Sequence, residues 1–320
     1  MGLSQLAARF KGRRVVVLGD LAVDCYVETR PARLSREAPI LILKYQKKRY
    51  RPGCAANTVM NLRALGADVV PIGVVGEDDA GQTLLDTFRA AEIPDAGIVV
   101  HGDSVVKVRV VSGDVTRPLQ QVMRVDMEPE TPHGEATMLE LIARAGVAES
   151  AEVVVVSDYG YGSASPALLR ATRAAANDAI VCVDSRLNLG GFADVDLLTP
   201  NEWEAAEFLG YPVREDDTAL AAAAEIREQC GAGAVLLTRG NRGMVLADSQ
   251  GVRPIRISGS REIVDPSGAG DTVVAAASLA LASGADPWDA ARLASAAAGV
   301  AVMKSGAAPV HHEELAAALV

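Results

Sequence analysis

Short apolar runs that alternate with helical patterns restrict the possible folds of this chain more than any other feature. Residues 14–20 form such a run and end in Gly-Asp, which predicts a buried parallel strand. Similar runs follow at residues 69–74, 153–156, 180–183, 197–199 and 234–238. Helical patterns occur at residues 55–65, 81–91, 132–148, 166–176 and 218–230. This alternation predicts an α/β fold, a three-layer α/β/α sandwich with a mainly parallel central sheet.

Polar residues follow several predicted strands closely. Ligands in parallel sheets bind beyond the carboxyl ends of the strands. That rule places five side chains around one crevice: Asp20, Asp158, Asp184, Asn201 and Arg239.

Some strand-like segments have no helix between them. They lie at residues 40–49, 105–113 and 121–128, and they predict a small antiparallel sheet inserted into a single domain of residues 1–320. We expect a discontinuous β lid from about 25–51 and 98–128. Such a sheet could exclude water from a crevice or pair with another subunit, and both roles can hold together.

A glycine-rich segment near the C-terminus is the clearest chemical motif. Residues 265–272 read Asp-Pro-Ser-Gly-Ala-Gly-Asp-Thr and run into an apolar, alanine-rich stretch. A small-residue loop that opens a helix presents backbone N–H groups at the positive end of the helix dipole, which suits a phosphate. Asp271 is then anomalous, because a phosphate repels a carboxylate unless that carboxylate accepts a proton from an attacking hydroxyl. The alternative is that Asp271 only caps the first turn of the helix.

Composition excludes some classes of protein. A formal charge of −10 argues against nucleic-acid binding. No apolar run approaches the roughly 20 residues that a membrane span needs, and residues 1–15 lack the apolar core of a secretory signal. The four cysteines are scattered without a CxxC pair, so we expect reduced thiols in a cytoplasmic protein and no zinc site.

The chain resembles the ribokinase family of carbohydrate kinases, also named PfkB after its minor phosphofructokinase member. The resemblance depends on Pro-Gly-Cys-Ala-Ala-Asn at 52–57, Gly-Val-Val-Gly-Glu-Asp at 73–78, Thr-Pro-Asn-Glu-Trp-Glu at 199–204, and the motif at 265–271. Within the family it resembles most the branch that phosphorylates D-glycero-β-D-manno-heptose 7-phosphate, through residues 35–39, 107–110, 120–126 and 157–159. Three residues depart from that branch: Tyr161 and Arg186 stand at lysine positions, and Cys54 at a glycine.

The resemblance implies a ribokinase-like fold and transfer of the ATP γ-phosphoryl group to a sugar hydroxyl, the anomeric one. Asp271 would accept the hydroxyl proton, and backbone N–H groups of Gly268, Ala269 and Gly270 would hold the developing charge. Asn201 and Glu204 would position Mg²⁺ through water, although the same pair predicts a helix capping box.

Further ligand contacts follow from the same resemblance. ATP is expected beside Thr238, Arg239 and Gly240, with adenine between residues 255–264 and 294–302. For Arg239 a surface ion pair is the alternative. The family also implies a possible K⁺ site near Asp265 and Gly306.

The sugar is expected on the opposite side of the motif. Asp20, Asp24, Gly53 and Asn57 would bind it, with a loop-anchoring role as the alternative for the two aspartates. Arg109 and Arg124 on the lid suit a phosphate on the far end of the substrate, the alternative being a solvated lid face. Asp158 would be a further contact to the sugar or to a magnesium-bound water.

Several alternatives remain open from the sequence. The chain could be a kinase of the same family for an unphosphorylated sugar or a nucleoside, or a catalytically silent sensor of sugars or nucleotides. A dehydrogenase is disfavoured because the first Gly-Asp lacks the spaced glycines of a dinucleotide site. We expect a homodimer through the β lid, no membrane partner, and no nucleotidyltransferase activity of the kind that bifunctional relatives carry.

Overall fold

The computed structural model describes residues 2–114, 117–129, 133–258 and 263–319. The helices in this part of the chain are α1 Leu3–Ala7, α2 Ala55–Ala64, α3 Asp79–Ala90, α4 Glu135–Ala143, α5 Pro166–Ala175, α6 Glu202–Leu209, α7 Asp216–Cys230, α8 Ala269–Ala282, α9 Pro287–Ala301 and α10 His312–Ala318. The strands are β1 Arg14–Gly19, β2 Leu21–Leu34, β3 Leu41–Cys54, β4 Asp68–Val75, β5 Ile98–Val100, β6 Val105–Asp114, β7 Arg117–Met127, β8 Val153–Asp158, β9 Ile180–Ser185, β10 Leu197–Leu198, β11 Ala234–Thr238, β12 Met244–Asp248 and β13 Gly251–Ile255.

Nine of these strands form a large sheet in the order β13-β12-β11-β10-β9-β8-β1-β4-β5. All neighbours from β11 to β5 run parallel, and β12 is antiparallel to both of its neighbours, β11 and β13. Successive side chains of β1 enter opposite cores: Val15 and Val17 pack on one face, and Val16 and Leu18 on the other. Burial on both faces is why these strands are apolar throughout, and the predicted three-layer sandwich is confirmed.

A second sheet has the order β3-β2-β6-β7, and we call these four strands the lid sheet. The expected antiparallel arrangement is only partly correct, because β2 and β6 pair in parallel. The two strands have the same direction because β2 leaves the carboxyl end of β1 and β6 leaves that of β5, at one edge of the large sheet.

The expected lid boundary at residue 98 is wrong. Residues 98–100 form β5, which pairs with β4 at the edge of the large sheet, so this part of the lid sheet begins only at Val105. The helix expected over residues 132–148 is shorter, because α4 ends at Ala143 and a 3₁₀ turn over Arg144–Ala148 follows it. Within the described segments, no helix is both long and apolar enough to cross a membrane.

Candidate active site

The glycine turn before α8 has a geometry that only glycine supports at its first position. Gly268 has φ +79°, in the left-handed region. A Cβ added there would lie 2.5 Å from Asn57 Nδ2 and 3.0 Å from Ala307 Cβ. Gly270, by contrast, faces open space, and a Cβ on it would meet only Asp184 Oδ2, at 4.0 Å. Gly268 therefore brings the start of α8 against α2, while Gly270 leaves room for a ligand.

Asp271 lies buried in the first turn of α8 and is bound by side chains from other elements. Its Oδ2 accepts a hydrogen bond from Asn57 Nδ2 at 2.7 Å. Its Oδ1 accepts two, from Thr58 Oγ1 at 3.0 Å and from the Tyr159 hydroxyl at 2.7 Å. Burial raises the pKa of Asp271, and these three hydrogen bonds oppose the rise. Within the described residues, no side-chain hydrogen bond caps the N-terminus of α8, so the capping alternative does not account for Asp271.

A polar cavity of about 380 Å³ opens above Asp271, and we call it the polar cavity. Most of the residues that were expected to bind substrate, metal or phosphate line this cavity: Asp24, Gly53, Asn57, Arg109, Arg124, Asp158, Asn201, Glu204, Thr238, Gly268, Gly270 and Asp271. They come from both sheets and from three helices, and the lid sheet supplies one wall of the cavity.

A second cavity of about 220 Å³ adjoins the first, and we call it the apolar cavity. Thr238 and Gly270 line both cavities, so the two meet at the start of α8. Its walls include Ala269 and Gly240 and side chains from the segments where adenine was expected: Ile257, Ile263, Ala298 and Val302. An apolar slot that leads to a ring of backbone N–H groups has the shape and chemistry for a purine with phosphates attached.

Two predicted site residues point elsewhere. The Asp20 carboxylate accepts backbone N–H groups of Tyr159, Tyr161 and Ser163, at 2.8, 3.0 and 2.8 Å, and does not line either cavity. It anchors the loop after β8 because three converging N–H donors satisfy a buried carboxylate better than a ligand hydroxyl could.

Arg239 is likewise absent from both cavity walls. Its guanidinium pairs with Glu202 at 2.9 Å and Asp216 at 2.7 Å, so it forms an ion pair as the alternative expected, but a buried one and not one on the surface.

Two carboxyl groups stand side by side at the edge of the polar cavity. Burial raises the pKa of Asp184 well above its usual value, with the nearby Glu204 and Asp271 charges adding to the rise. Burial also raises the pKa of Glu204 to about 7. Glu204 and Asn201 form the capping box that was the alternative to a metal role, through bonds of 2.8 and 3.0 Å. Asp184 was expected at the crevice, without an assigned role.

The donor set fits a divalent cation held partly by water. Carboxylate and amide oxygens of Asp184, Glu204 and Asn201 are hard ligands of the type that Mg²⁺ prefers. In the described part of the chain, no group of three or more His, Cys, Asp or Glu side chains could hold a metal. Water or phosphate oxygens would therefore complete the coordination shell.

The lid sheet brings three cations into the polar cavity, Lys107, Arg109 and Arg124. Only the two arginines were expected to bind a substrate phosphate. Arg109 Nη2 donates to Asp24 Oδ1 at 3.0 Å, and Arg124 donates twice to Asp126, both at 2.7 Å. The third cation, Lys107, is buried with its Nζ 2.9 Å from Cys54 Sγ. Its spacing of two residues from Arg109 on one strand was the signal that could have placed both side chains on the same face.

In this sandwich, a buried carboxylate and a glycine turn separate a polar cavity from an apolar one. This arrangement is typical of a phosphotransferase that acts on small molecules. Comparisons with known proteins narrow this class. The profile of the pfkB family carbohydrate kinases matches residues 13–313. The chain therefore belongs to the pfkB family of carbohydrate kinases.

Among curated relatives, the bifunctional protein HldE of Gluconobacter oxydans (strain 621H) is 38% identical over 315 residues, which are 96% of this chain and 64% of that protein. HldE of Caulobacter sp. (strain K31) is 38% identical over 322 residues, 98% of this chain and 64% of that protein. The chain thus spans somewhat under two thirds of the length of these relatives.

Solved structures share the fold at lower identity. Phosphofructokinase-2 from Escherichia coli in complex with potassium superposes with a TM-score of 0.79 at 18% identity, over 96% of this chain and 98% of that one. Ribokinase from Arabidopsis thaliana, complexed with ribose and ATP, gives a TM-score of 0.69 at 20% identity, over 97% of this chain and 99% of that one.

Proposed function

We propose that this protein transfers the γ-phosphoryl group of ATP to a hydroxyl group, the anomeric one, of a phosphosugar such as D-glycero-β-D-manno-heptose 7-phosphate. The observation that carries the proposal is the position of Asp271 in the polar cavity, beside Gly270, which lines both cavities. A proton acceptor at that junction lies where a sugar hydroxyl would meet the terminal phosphate of a nucleotide.

Asp271 accepts the proton of the attacking hydroxyl. Oδ1 already accepts two hydrogen bonds, whereas Oδ2 accepts only that of Asn57, so Oδ2 has more capacity left for the substrate. The fixed donors orient the carboxylate and oppose the rise of its pKa that burial causes, which favours the ionised form.

The start of α8 stabilises the charge on the transferred group. Backbone N–H groups of Gly268 and Gly270 precede the first intrahelical hydrogen bonds and can donate to phosphate oxygens. That of Ala269 donates to Pro266 O at 3.2 Å, so it would exchange this partner for a phosphate oxygen. The apolar cavity holds the adenine, beside Thr238 and Gly240. Because Arg239 is tied to Glu202 and Asp216, its guanidinium is assigned no contact with the nucleotide.

Metal ions complete the site. Asn201, Glu204 and Asp184 would hold Mg²⁺, which neutralises charge on the nucleotide phosphates when it is bound. We also place K⁺ at the loops that Asp265 and Gly306 join, where the Asp265 carboxylate accepts the Gly306 N–H at 2.9 Å. Phosphofructokinase-2 from Escherichia coli, which shares the fold, forms a complex with potassium, and this supports a K⁺ ion but not its position.

The choice of a phosphosugar has two supports. The curated relatives at 38% identity carry the HldE name, and three lid cations line the polar cavity. One observation favours the rival substrate class, an unphosphorylated sugar or nucleoside: Arg109 and Arg124 are both paired with carboxylates. A silent sensor is disfavoured because it has no need of a buried proton acceptor at this point.

The lid sheet exposes apolar side chains on its two edge strands. The edge strands β3 and β7 expose large apolar side chains, which we propose cover the same surface on a second copy of the chain: Leu41, Tyr45, Val122, Met123, Val125 and Met127.

All four cysteines are free thiols, which supports a reducing, cytoplasmic location.

A coupled ADP-release assay tests the substrate class. Wild-type protein with Mg·ATP is offered heptose 7-phosphate, fructose 6-phosphate, ribose and nucleosides. We expect the highest kcat/KM with heptose 7-phosphate. Comparable kcat/KM with neutral sugars would overturn the phosphosugar class, and nucleotide binding without turnover of any acceptor would favour the sensor.

A further inference from the structure

Among the described residues, the lid contains a buried cation that forms no ion pair with Asp24 or Asp126, the carboxylates opposite it on the neighbouring strands. Lys107 is 5% exposed and lines the polar cavity. Among the described residues it makes no ion pair, although Arg109 and Arg124 on the same sheet each pair with an aspartate. Removing an ammonium group from water costs several kcal/mol unless a partner compensates, so Lys107 points to a missing anion.

The neighbours of Lys107 compensate for only part of that cost. One partner is the Cys54 thiol, a weak acceptor whose pKa burial raises to about 12, so the sulfur stays uncharged. The rings of Tyr159 and Tyr161 lie 5.0 and 5.4 Å from the ammonium and attract it through their π-systems. An ammonium has three donors, and only one of them has a partner in the described part of the chain.

Tyr161 adds no second positive charge beside Lys107. Its hydroxyl donates to Glu128, so it brings no positive charge. Asp24 and Asp126 each pair with an arginine, and their charges also act on Lys107. Three lid cations against these two carboxylates leave one positive charge in excess, and Lys107 is the cation without an ion pair among the described residues.

We propose that Lys107 is the principal binding group for an anionic substituent, a phosphate, on the sugar acceptor. The inference rests on the proposed kinase function and names the group that selects a phosphorylated over a neutral acceptor. Cys54, Tyr159 and Tyr161 hold the ammonium in place while the cavity is open, and the phosphate then supplies the anion that the fold leaves out.

The test compares sugars that differ only in the phosphate. Wild-type protein and Lys107→Met are assayed with D-glycero-D-manno-heptose 7-phosphate and D-glycero-D-manno-heptose, and with fructose 6-phosphate and fructose. Methionine keeps the length and the contact with the tyrosine rings and removes the charge. A charge-assisted hydrogen bond contributes about 1.5–3 kcal/mol, so kcat/KM for the phosphorylated member should fall about 10- to 150-fold. The value for the neutral member should change less than about threefold, within the usual spread of neutral substitutions.

Lys48→Met is the matched control, because Lys48 also lies over a tyrosine ring of the lid sheet, 4.3 Å from the Tyr50 centroid, but is exposed and outside the cavity. It should leave both members of each pair unchanged. Lys107→Arg keeps the charge and should retain part of the preference, which separates loss of charge from misfolding.

The outcomes distinguish the two proposals. If wild-type protein phosphorylates no phosphosugar, the proposed substrate class fails and this inference fails with it. If wild-type protein prefers the phosphorylated member and Lys107→Met keeps that preference, the role of Lys107 alone is refuted. An equal loss for both members would also refute it, because it would place Lys107 at a part of the site common to every acceptor.

Discussion

The two glycines of the α8 turn should respond in opposite ways to one added methyl group. In Gly268→Ala the new Cβ lies 2.5 Å from Asn57 Nδ2, at a backbone φ of +79°. Left-handed strain costs about 1–2 kcal/mol for an L-residue, and overpacking adds about 1–3 kcal/mol. In Gly270→Ala the Cβ meets only Asp184 Oδ2 at 4.0 Å, and alanine in a helix is favoured by up to about 1 kcal/mol.

Thermal unfolding converts these energies into measurable shifts. The unfolding entropy of a 320-residue chain is roughly 0.7 kcal/mol per degree, so Gly268→Ala should lower Tm by about 3–7 °C. Gly270→Ala should leave Tm unchanged or raise it by about 1 °C. Both variants should lose kinase activity in the ADP-release assay, on the order of 100-fold. In Gly268→Ala the cause is displacement of Asn57 from Asp271, and in Gly270→Ala it is a methyl group in the phosphate space.

Equal losses of Tm in the two variants would refute the assignment of Gly268 to packing and Gly270 to ligand space. Full activity in Gly270→Ala would refute the second half of that assignment by itself.

Three further predictions concern charge and surface. Because burial raises the pKa of Asp184, the folded state loses stability as pH rises above the ordinary aspartate pKa of about 4, and the loss is complete above the raised pKa. Asp184→Asn should therefore raise Tm at pH 8, with a smaller gain at pH 5, by calorimetry. Tyr159→Phe removes a donor that lowers the pKa of Asp271, so the acid limb of the kcat–pH profile should move to higher pH, whereas Tyr161→Phe should not move it. Val125→Lys should shift the mass measured by light scattering from dimer to monomer, whereas Leu139→Lys, at an exposed site on α4, should not.

The sequence predicted the features that local patterns determine. The apolar strand β1 and the glycine turn before α8 each depend on residues close together in the chain, and the structure contains both. The sandwich follows from such elements, because strands buried on both faces leave few other arrangements.

Side-chain direction at the site depended on distant partners, which a single sequence does not specify. Arg239 follows a strand as a ligand-binding residue would, but Glu202 and Asp216 hold it away from the cavities. Asp20 is held in the same way by the N–H groups after β8. The parallel pairing of β2 and β6 likewise joins segments about 80 residues apart in the chain. The contact of Lys107 with Cys54 joins residues more than 50 positions apart.

The central claim is that the Asp271 carboxylate accepts a proton where the two cavities meet. The most direct test is a single-turnover measurement of phosphoryl transfer by Asp271→Asn, with ATP affinity measured in parallel by calorimetry. We predict that the rate falls about 10²- to 10⁴-fold while the Kd for ATP changes less than about threefold, because asparagine keeps the shape and removes the proton acceptor. An unchanged rate of transfer would contradict the account.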